Sequence, residues 1–235
     1  YVQAFLQEYD LVHRLDPASP AKAALSVLPA LEERRGETWV VCAPGELSDV
    51  SALTRAGIRG VLVHTQEGEL SPELSGLGVA LSPGDGGLLK HTDTGITVRP
   101  KVVETLLDGG FLPVVSPIAL GEDGEGLNCN ADDAARAVAV AQALKADRLI
   151  LFTQDEPSLA LGEDRQVELL HMDLAKADEL LKEGALPEAV VSPLKLACRG
   201  AEGGVKRTVL LSRKEPHALL REALGQRVMG LSVTP

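Results

Sequence analysis

The sequence predicts an α/β protein built on a mainly parallel β-sheet that helices cover on both faces. Short apolar runs without polar alternation indicate strands that are buried on both sides. Helical stretches separate these runs along the chain, as the connections between parallel strands require. Hydrophobic residues make up 45% of the 235 residues and aromatic residues only 3%, so the core must be built from Leu, Val and Ala.

The predicted elements follow one another in a regular order. An apolar helical stripe covers residues 1–15, and the Asp16-Pro17 step ends it, because proline and the residue before it leave the helical region. The later segments are predicted as a helix within 21–36, a strand running into a turn within 38–47, a helix within 51–59, a strand over 60–64, a helix and a strand within 99–120, a helix and a strand within 132–154, a strand over 207–212, a helix over 217–224 and a strand over 227–233. The Gly-rich and Ser-rich section 71–97 is expected to hold short strands or a hairpin.

Composition and charge exclude several classes of function. The formal net charge is −11 and no basic stripe occurs, so a nucleic-acid partner is not expected. No run of about 18 apolar residues and no signal-peptide pattern occurs, so membrane and secretory roles are not expected either. Cys42, Cys129 and Cys198 lie far apart without metal-site spacing. They are predicted to be reduced thiols in a cytoplasmic protein, and no metal ligand is predicted.

Four polar residues gather where a helix is predicted to begin: Asn128, Asn130, Asp132 and Asp133. They suit helix capping, because Asn and Asp side chains accept hydrogen bonds from the free N–H groups of a first helical turn. They also suit a ligand site, because the ligands of parallel sheets lie at the carboxyl ends of the strands. From the residues alone capping is the commoner role, and both interpretations stay open.

The segment 109–154 resembles a known family. Its order of Leu-Pro-Val-Val-Ser-Pro-Ile, Leu-Asn-Cys-Asn-Ala-Asp, a helix and Leu-Ile-Leu-Phe-Thr-Gln is similar to that of N-acetylglutamate kinases, in the amino acid kinase family. Weaker similarities flank it and extend over most of residues 28–233. The resemblance implies a three-layer α/β/α sandwich. It also implies that residues 1–36 are an N-terminal helical extension and that residues 37–235 are an amino acid kinase-like domain with a shortened substrate side.

The resemblance further implies an activity and the residues that perform it. These kinases use ATP with Mg²⁺ to phosphorylate the side-chain carboxylate of an N-acyl amino acid on the arginine route. Asn128 and Asn130 are implied to bind the substrate. Asp132 is implied to organise the catalytic lysines, and Lys195 to bind the moving phosphoryl group. The implied nucleotide-binding residues are Gly45, Gly68, Thr153 and Asp155.

The chain departs from the family where phosphoryl transfer needs positive charge and N–H donors. Cys42 stands where the family has a lysine, and Pro44, which has no N–H, replaces a glycine. The turn 64–69 has lost two glycines and carries Glu67, and the family's strand with the substrate-binding arginine is not found. Each lost contact typically costs about 3–4 kcal/mol of transition-state stabilisation, so weak or absent kinase activity is expected.

Two functions therefore stay open. The first is an acetylglutamate-kinase-type phosphotransferase of arginine biosynthesis. The second is a non-catalytic amino acid kinase domain that acts as a regulatory, sensor or assembly subunit, as in N-acetylglutamate synthases, and binds an N-acyl amino acid or arginine. The segment 215–231 resembles the part of arginine-sensitive relatives that contacts arginine. The stripe 1–15 is similar to the helix that joins dimers of those relatives into hexamers, so a homo-oligomer, dimeric or hexameric, is expected.

Overall fold

The computed structural model describes residues 20–63, 72–74, 76–81, 88–92, 95–115, 118–120, 126–128, 133–154, 170–184, 186–225 and 230–235. The helices in these ranges are α1 (Pro20–Arg34), α2 (Leu47–Arg55), α3 (Lys101–Asp108), α4 (Asp133–Ala143), α5 (Leu174–Glu183), α6 (Glu188–Glu202) and α7 (Ala218–Ala223), with a short 3-10 turn at Pro72–Leu74. The strands are β1 (Thr38–Cys42), β2 (Arg59–Val63), β3 (Gly78–Leu81), β4 (Leu89–Thr92), β5 (Gly95–Val98), β6 (Leu112–Val115), β7 (Ile118–Leu120), β8 (Gly126–Asn128), β9 (Arg148–Thr153), β10 (Leu170–Asp173), β11 (Arg207–Ser212) and β12 (Gly230–Thr234).

Eight strands form the main sheet in the order β10-β12-β11-β9-β1-β2-β6-β3. From β11 to β3 every neighbouring pair is parallel, whereas β12 runs antiparallel to β11 and β10 runs parallel to β12. The mainly parallel sheet is therefore confirmed. The section 71–97 holds β3 and the antiparallel pair β4-β5, which belongs to a second sheet of order β5-β4-β7-β8.

Helices cover both faces of the main sheet, and this explains the unbroken apolar strands. On one face Val40, Leu149 and Leu210 pack beneath α4 and α6; on the other Trp39 and Ile150 pack with α2 and α7. All five side chains are almost fully buried. Successive residues of a strand point to opposite faces of the sheet. A strand between two helical layers therefore needs apolar residues at both its odd and its even positions. Burial of each such side chain contributes about 1.5–3 kcal/mol.

Helix α1 packs with the core of the second face through Val27 and Leu31. The predicted helix within 21–36 is confirmed, and Gly36 follows it with a positive φ of 81°. The predicted helix over residues 1–15 lies outside the described residues. In the part of the chain that the structure describes, no helix is long and apolar enough to cross a membrane.

Helices α5 and α6 and strand β10 were not expected from the sequence. Asp173 caps α5 by accepting a hydrogen bond from the N–H of Lys176 at 2.8 Å, and Gly184 ends it in the left-handed conformation. Helix α6 contains Pro193 and lies close to β11 at Gly200. A Cβ on Gly200 would lie 2.6 Å from the hydroxyl oxygen of Thr208, so glycine permits this close approach. Glycine, which usually ends helices, here permits the packing of α6 on β11.

At the amino ends of the strands, Asp147 joins β1 to β9. Its carboxylate accepts hydrogen bonds from the Thr38 N–H at 2.7 Å and from the Lys206 ammonium at 2.6 Å. Partial burial alone would raise the pKa of the Asp147 carboxyl, but these two hydrogen bonds outweigh burial and lower the pKa below its ordinary value of 3.8. The charged carboxylate therefore stabilises the folded state.

Replacing Asp147 with alanine should lower the free energy of unfolding at pH 7 by about 1–2 kcal/mol, because the Thr38 N–H loses its partner. Since the folded-state pKa is lowered, the charge-dependent part of this contribution is present above pH 3.8 and is lost as the pH falls through the folded-state pKa. Urea unfolding at pH 7, 5 and 3 should show the difference from wild type shrinking at pH 3. Asp147→Asn, which keeps an acceptor, should lose less at pH 7. An Asp147→Ala effect as large at pH 3 as at pH 7 would contradict this account.

Candidate functional site

The carboxyl ends of β1, β9 and β11 meet at one edge of the main sheet. Thr153 at the end of β9 pairs in register with Ser212 at the end of β11, and Cys42 at the end of β1 pairs with Leu151. After Cys42 the chain turns sharply at Ala43, which has a φ of 52°. A non-glycine residue in the left-handed region stores strain, and such residues cluster at functional sites.

Arg213 places a positive charge at this edge. Its backbone N–H donates to the carbonyl of Thr153 at 3.0 Å, and its side-chain Nε donates to the carbonyl of Ala43 at 2.9 Å. Arg213 thus holds the turn after β1 against the end of β11, across 170 positions of sequence. Sequence reasoning missed this residue. The available signal was a basic residue directly after a buried strand of a parallel sheet.

Two predicted nucleotide-binding residues, Gly45 and Thr153, lie at this edge. Gly45 is exposed, and a Cβ on it would lie 3.4 Å from the carbonyl oxygen of Arg213, an ordinary contact distance. The Thr153 hydroxyl donates to the carbonyl of Leu211 at 3.2 Å. The structure therefore brings Gly45 and Thr153 to one edge beside Arg213, and their role in nucleotide binding stays a prediction.

The Asn–Asp cluster is described only in part. Asn128 is the last residue of β8, whose partner β7 belongs to the second sheet. Asn130 and Asp132 lie outside the described residues, as do Asp155 and Gly68. Their predicted roles in substrate binding, catalysis and nucleotide binding stay predictions.

Lys195 lies on helix α6. It is exposed in the middle of α6, seven residues after the first residue of the helix at Glu188, which is about 10 Å along the helix axis. Its neighbours Leu194 and Ala197 face the core instead. No contact described in the structure joins Lys195 to Gly45 or Thr153. Its catalytic role stays a prediction without support from its position.

A second guanidinium lies in the first turn of α4. Arg136 is fully buried, although arginine is rarely found without exposure to solvent. Helix α4 begins at Asp133, the last residue of the Asn–Asp cluster, and packs against β1. A buried guanidinium needs hydrogen-bond acceptors or a counter-charge to offset the loss of its hydration. The sequence pattern gave no sign of this, because Arg136 occupies a position in an otherwise alanine-rich helix.

Glu46, Asp49 and His217 meet at the same edge. His217 Nδ1 lies 2.8 Å from Asp49 Oδ1, and the His217 N–H faces both carboxylate oxygens of Glu46 at 3.3 Å. Asp49 is buried, and burial raises the pKa of its carboxyl to about 6 against the opposing hydrogen bond from His217. His217 has a φ of 51°, again a strained left-handed conformation. Sequence reasoning missed this group, whose members come from two distant segments.

Residues 48–199 match the amino acid kinase family, and this match spans more than half of the chain. The chain belongs to the amino acid kinase family. The acetylglutamate kinase of Caldanaerobacter subterraneus subsp. tengcongensis is 36% identical over 172 residues, which cover 68% of this chain and 57% of that protein. The chain therefore spans less than two thirds of the length of this curated relative.

Solved structures agree with the fold of this amino acid kinase domain. N-acetylglutamate synthase from Neisseria gonorrhoeae, complexed with coenzyme A and N-acetyl-glutamate, gives a TM-score of 0.70 at 18% identity over 90% of this chain and 62% of that one. Its complex with coenzyme A and L-arginine gives 0.69 at 18% identity over 89% and 64%. Carbamate kinase from Giardia lamblia bound to AMP-PNP gives 0.58 at 13% identity over 85% and 98%. At these identities the likeness shows the fold alone, and it confirms the predicted α/β architecture.

In this amino acid kinase domain the first strand ends in a buried thiol. Cys42 is 4% exposed and packs in the core of the first face with Val63 and Leu151. A thiol carries no fixed positive charge and is a weak hydrogen-bond donor. The end of β1 therefore supplies none of the charge that the family resemblance implies there. Arg213 is the residue that brings a cation next to this turn.

Proposed function

We propose that this chain is an acetylglutamate-kinase-like domain of arginine biosynthesis that binds an N-acyl amino acid or arginine and transfers phosphoryl groups weakly or not at all. The observation that carries the proposal is the buried Cys42 at the end of β1, where the family resemblance implies a lysine. The identity of 36% to an acetylglutamate kinase supports the pathway. The structural likeness to an N-acetylglutamate synthase complexed with arginine supports the class of ligand.

A second candidate is an active kinase that uses ATP with Mg²⁺. The contact of Arg213 with the Ala43 carbonyl favours it, because a guanidinium at this turn offers charge close to the position that the lysine has lost. A guanidinium is not equivalent to an ammonium, however, because its planar donors are fixed in direction. The missing glycine turn would also still have to be replaced. We therefore favour a ligand-binding function over an active kinase.

Calorimetric titration with ATP–Mg²⁺, N-acetylglutamate and arginine, each alone, tests the proposal. Binding of N-acetylglutamate or arginine without turnover is the expected result. Binding of ATP–Mg²⁺ in the micromolar range, together with acyl phosphate formation in a hydroxamate assay, would establish the kinase instead. Absence of binding for all three would refute both candidates.

Replacing Cys42 with lysine should create no kinase activity, because the glycine turn and the substrate arginine would still be missing. Cys42 is the last residue of β1, so the new ammonium can reach the edge of the sheet while its alkyl chain stays in the core. ADP release in the presence of N-acetylglutamate measures the result. Cys42→Met, which adds an unbranched side chain without charge, controls for the change in packing. A clear gain of turnover in Cys42→Lys alone would show that the other departures from the family matter little.

A further inference from the structure

Three side chains of metal-ligating type converge beside the turn after β1. Glu46 precedes α2, Asp49 lies in its first turn, and His217 precedes α7. One potential ligand atom from each lies within 4.8 Å of the other two. His217 and Asp49 are 168 positions apart, so the fold brings the group together.

We propose that Glu46, Asp49 and His217 form a binding site for a divalent transition-metal ion of the Zn²⁺ class. One imidazole nitrogen and two carboxylate oxygens are a donor set that zinc accepts, with a fourth position left for water. Mg²⁺ and Ca²⁺ are less suited, because they require six or more oxygen ligands and do not favour imidazole. None of the residues predicted to bind nucleotide or substrate belongs to this site.

The carboxylate of Asp49 gives an independent reason for a cation. Its side chain is 1% exposed, and Oδ2 has no hydrogen-bond partner among the residues that the structure describes. A buried carboxylate oxygen without a partner is costly. The imidazole of His217 contacts only Oδ1, at 2.8 Å. The backbone N–H of Leu220 also contributes a hydrogen bond to this carboxylate, but burial remains the dominant effect on its pKa. A metal ion between Asp49, Glu46 and His217 would compensate the whole carboxylate.

The distances require only small adjustments. Zinc bonds of about 2.0–2.1 Å in a tetrahedral arrangement place ligand atoms about 3.3 Å from one another. The Nδ1–Oδ1 distance of 2.8 Å would have to open by about 0.5 Å, and the widest pair, within 4.8 Å, would close by about 1.5 Å or less. The side chain of Glu46 is half-buried, and its carboxylate already faces the backbone N–H of His217 at 3.3 Å. His217 is 20% exposed, which gives an ion access from solvent.

The ion would join two of the segments that link strands of the main sheet to the helices that follow them. Glu46 and Asp49 belong to the connection from β1 to α2, and His217 belongs to the connection from β11 to α7. The same two connections are already joined by the contact of Arg213 with Ala43. Metal binding should therefore stabilise the folded chain, because a ligand that binds only the folded state shifts the folding equilibrium toward it.

The experiment is a titration of the chelator-treated chain with ZnSO₄ by calorimetry, with bound zinc counted by mass spectrometry after dialysis. We expect the wild-type chain to bind one zinc ion at this site. We also expect its melting temperature to rise as the zinc concentration increases. Glu46→Gln, Asp49→Asn and His217→Gln should each weaken this binding at least about tenfold, because even changes outside the ligand set cost 10- to 100-fold in metal affinity. MgSO₄ should produce no comparable binding.

His171→Gln is the control, because His171 is a histidine outside this group that pairs with Ser232 on β12. It should bind zinc as the wild type does. Glu46→Gln keeps the test valid if Asp49→Asn or His217→Gln fails to fold, since Glu46 is half-buried and the change is isosteric. Absence of zinc binding, equal binding by Glu46→Gln and wild type, or equal affinity for Mg²⁺ would each overturn the proposal.

Discussion

Replacing Glu222 with alanine should lower the free energy of unfolding by about 3–5 kcal/mol, since the change leaves a buried cation without its main partner. The Glu222 carboxylate lies 2.6 Å from Nη1 of Arg148 and 3.7 Å from Nη2 of Arg207. The side chains of Arg148 and Glu222 are only 11% and 6% exposed, so water cannot replace the lost carboxylate. Glu37 at 3.3 Å and the Trp39 ring at 5.0 Å would still contact Arg148, which keeps the expected loss near the lower end of the range.

Chemical denaturation at pH 7 measures this loss, and Glu179→Ala is the matched control. Glu179 pairs with Lys176 at 2.6 Å, but both side chains are more than half exposed. Exposed ion pairs contribute about 0–1 kcal/mol, so the control should change stability little. Replacing both members of the buried pair, as Arg148→Met with Glu222→Leu, should recover part of the loss, because the buried charge of Arg148 is removed together with that of Glu222. Equal effects of Glu222→Ala and Glu179→Ala would contradict the importance of burial.

The central strands were predictable from the sequence because their middle positions are apolar on both faces of the sheet. The run Arg207–Ser212 was predicted as a strand and is β11, and residues 148–153 lie within a predicted strand and form β9. Apolar runs of this length have one stable arrangement in an α/β protein, between two helical layers. Helix α6 was not predicted, because Pro193 and Gly200 usually end helices. The close packing of position 200 against Thr208 explains why this helix contains a glycine at that position.

The candidate site was predictable only where a short segment of the sequence resembles the family. Thr153 and Gly45 were singled out by resemblance to a family, and both lie at the carboxyl edge. Arg213 and His217 were not, because their partners Ala43 and Asp49 are 170 and 168 positions away. Such contacts follow from the order of strands in the sheet, which places β9 between β1 and β11. No local spacing in the sequence carries that information.

Replacing Arg213 with alanine should weaken binding of N-acetylglutamate by about 10- to 100-fold, if the proposed function is right. A hydrogen bond to a charged group contributes about 1.5–3 kcal/mol, which corresponds to this range. The guanidinium has five N–H donors, and the contact with the Ala43 carbonyl engages the one on Nε. The remaining donors suit a carboxylate, which is bound best by the planar arrangement of an arginine. Calorimetric titration measures the affinity, and circular dichroism verifies that the variant is folded.

Arg213→Lys separates charge from geometry, because lysine keeps the charge and loses the planar pair of donors. It should bind with an affinity between those of wild type and Arg213→Ala. Lys182→Ala removes an exposed cation from the last turn of α5 and should leave the affinity unchanged, which excludes a general effect of net charge. Wild-type affinity in Arg213→Ala would place the carboxylate site elsewhere in the domain. Failure of the wild type itself to bind would instead refute the proposed ligand class, so the two outcomes are distinct.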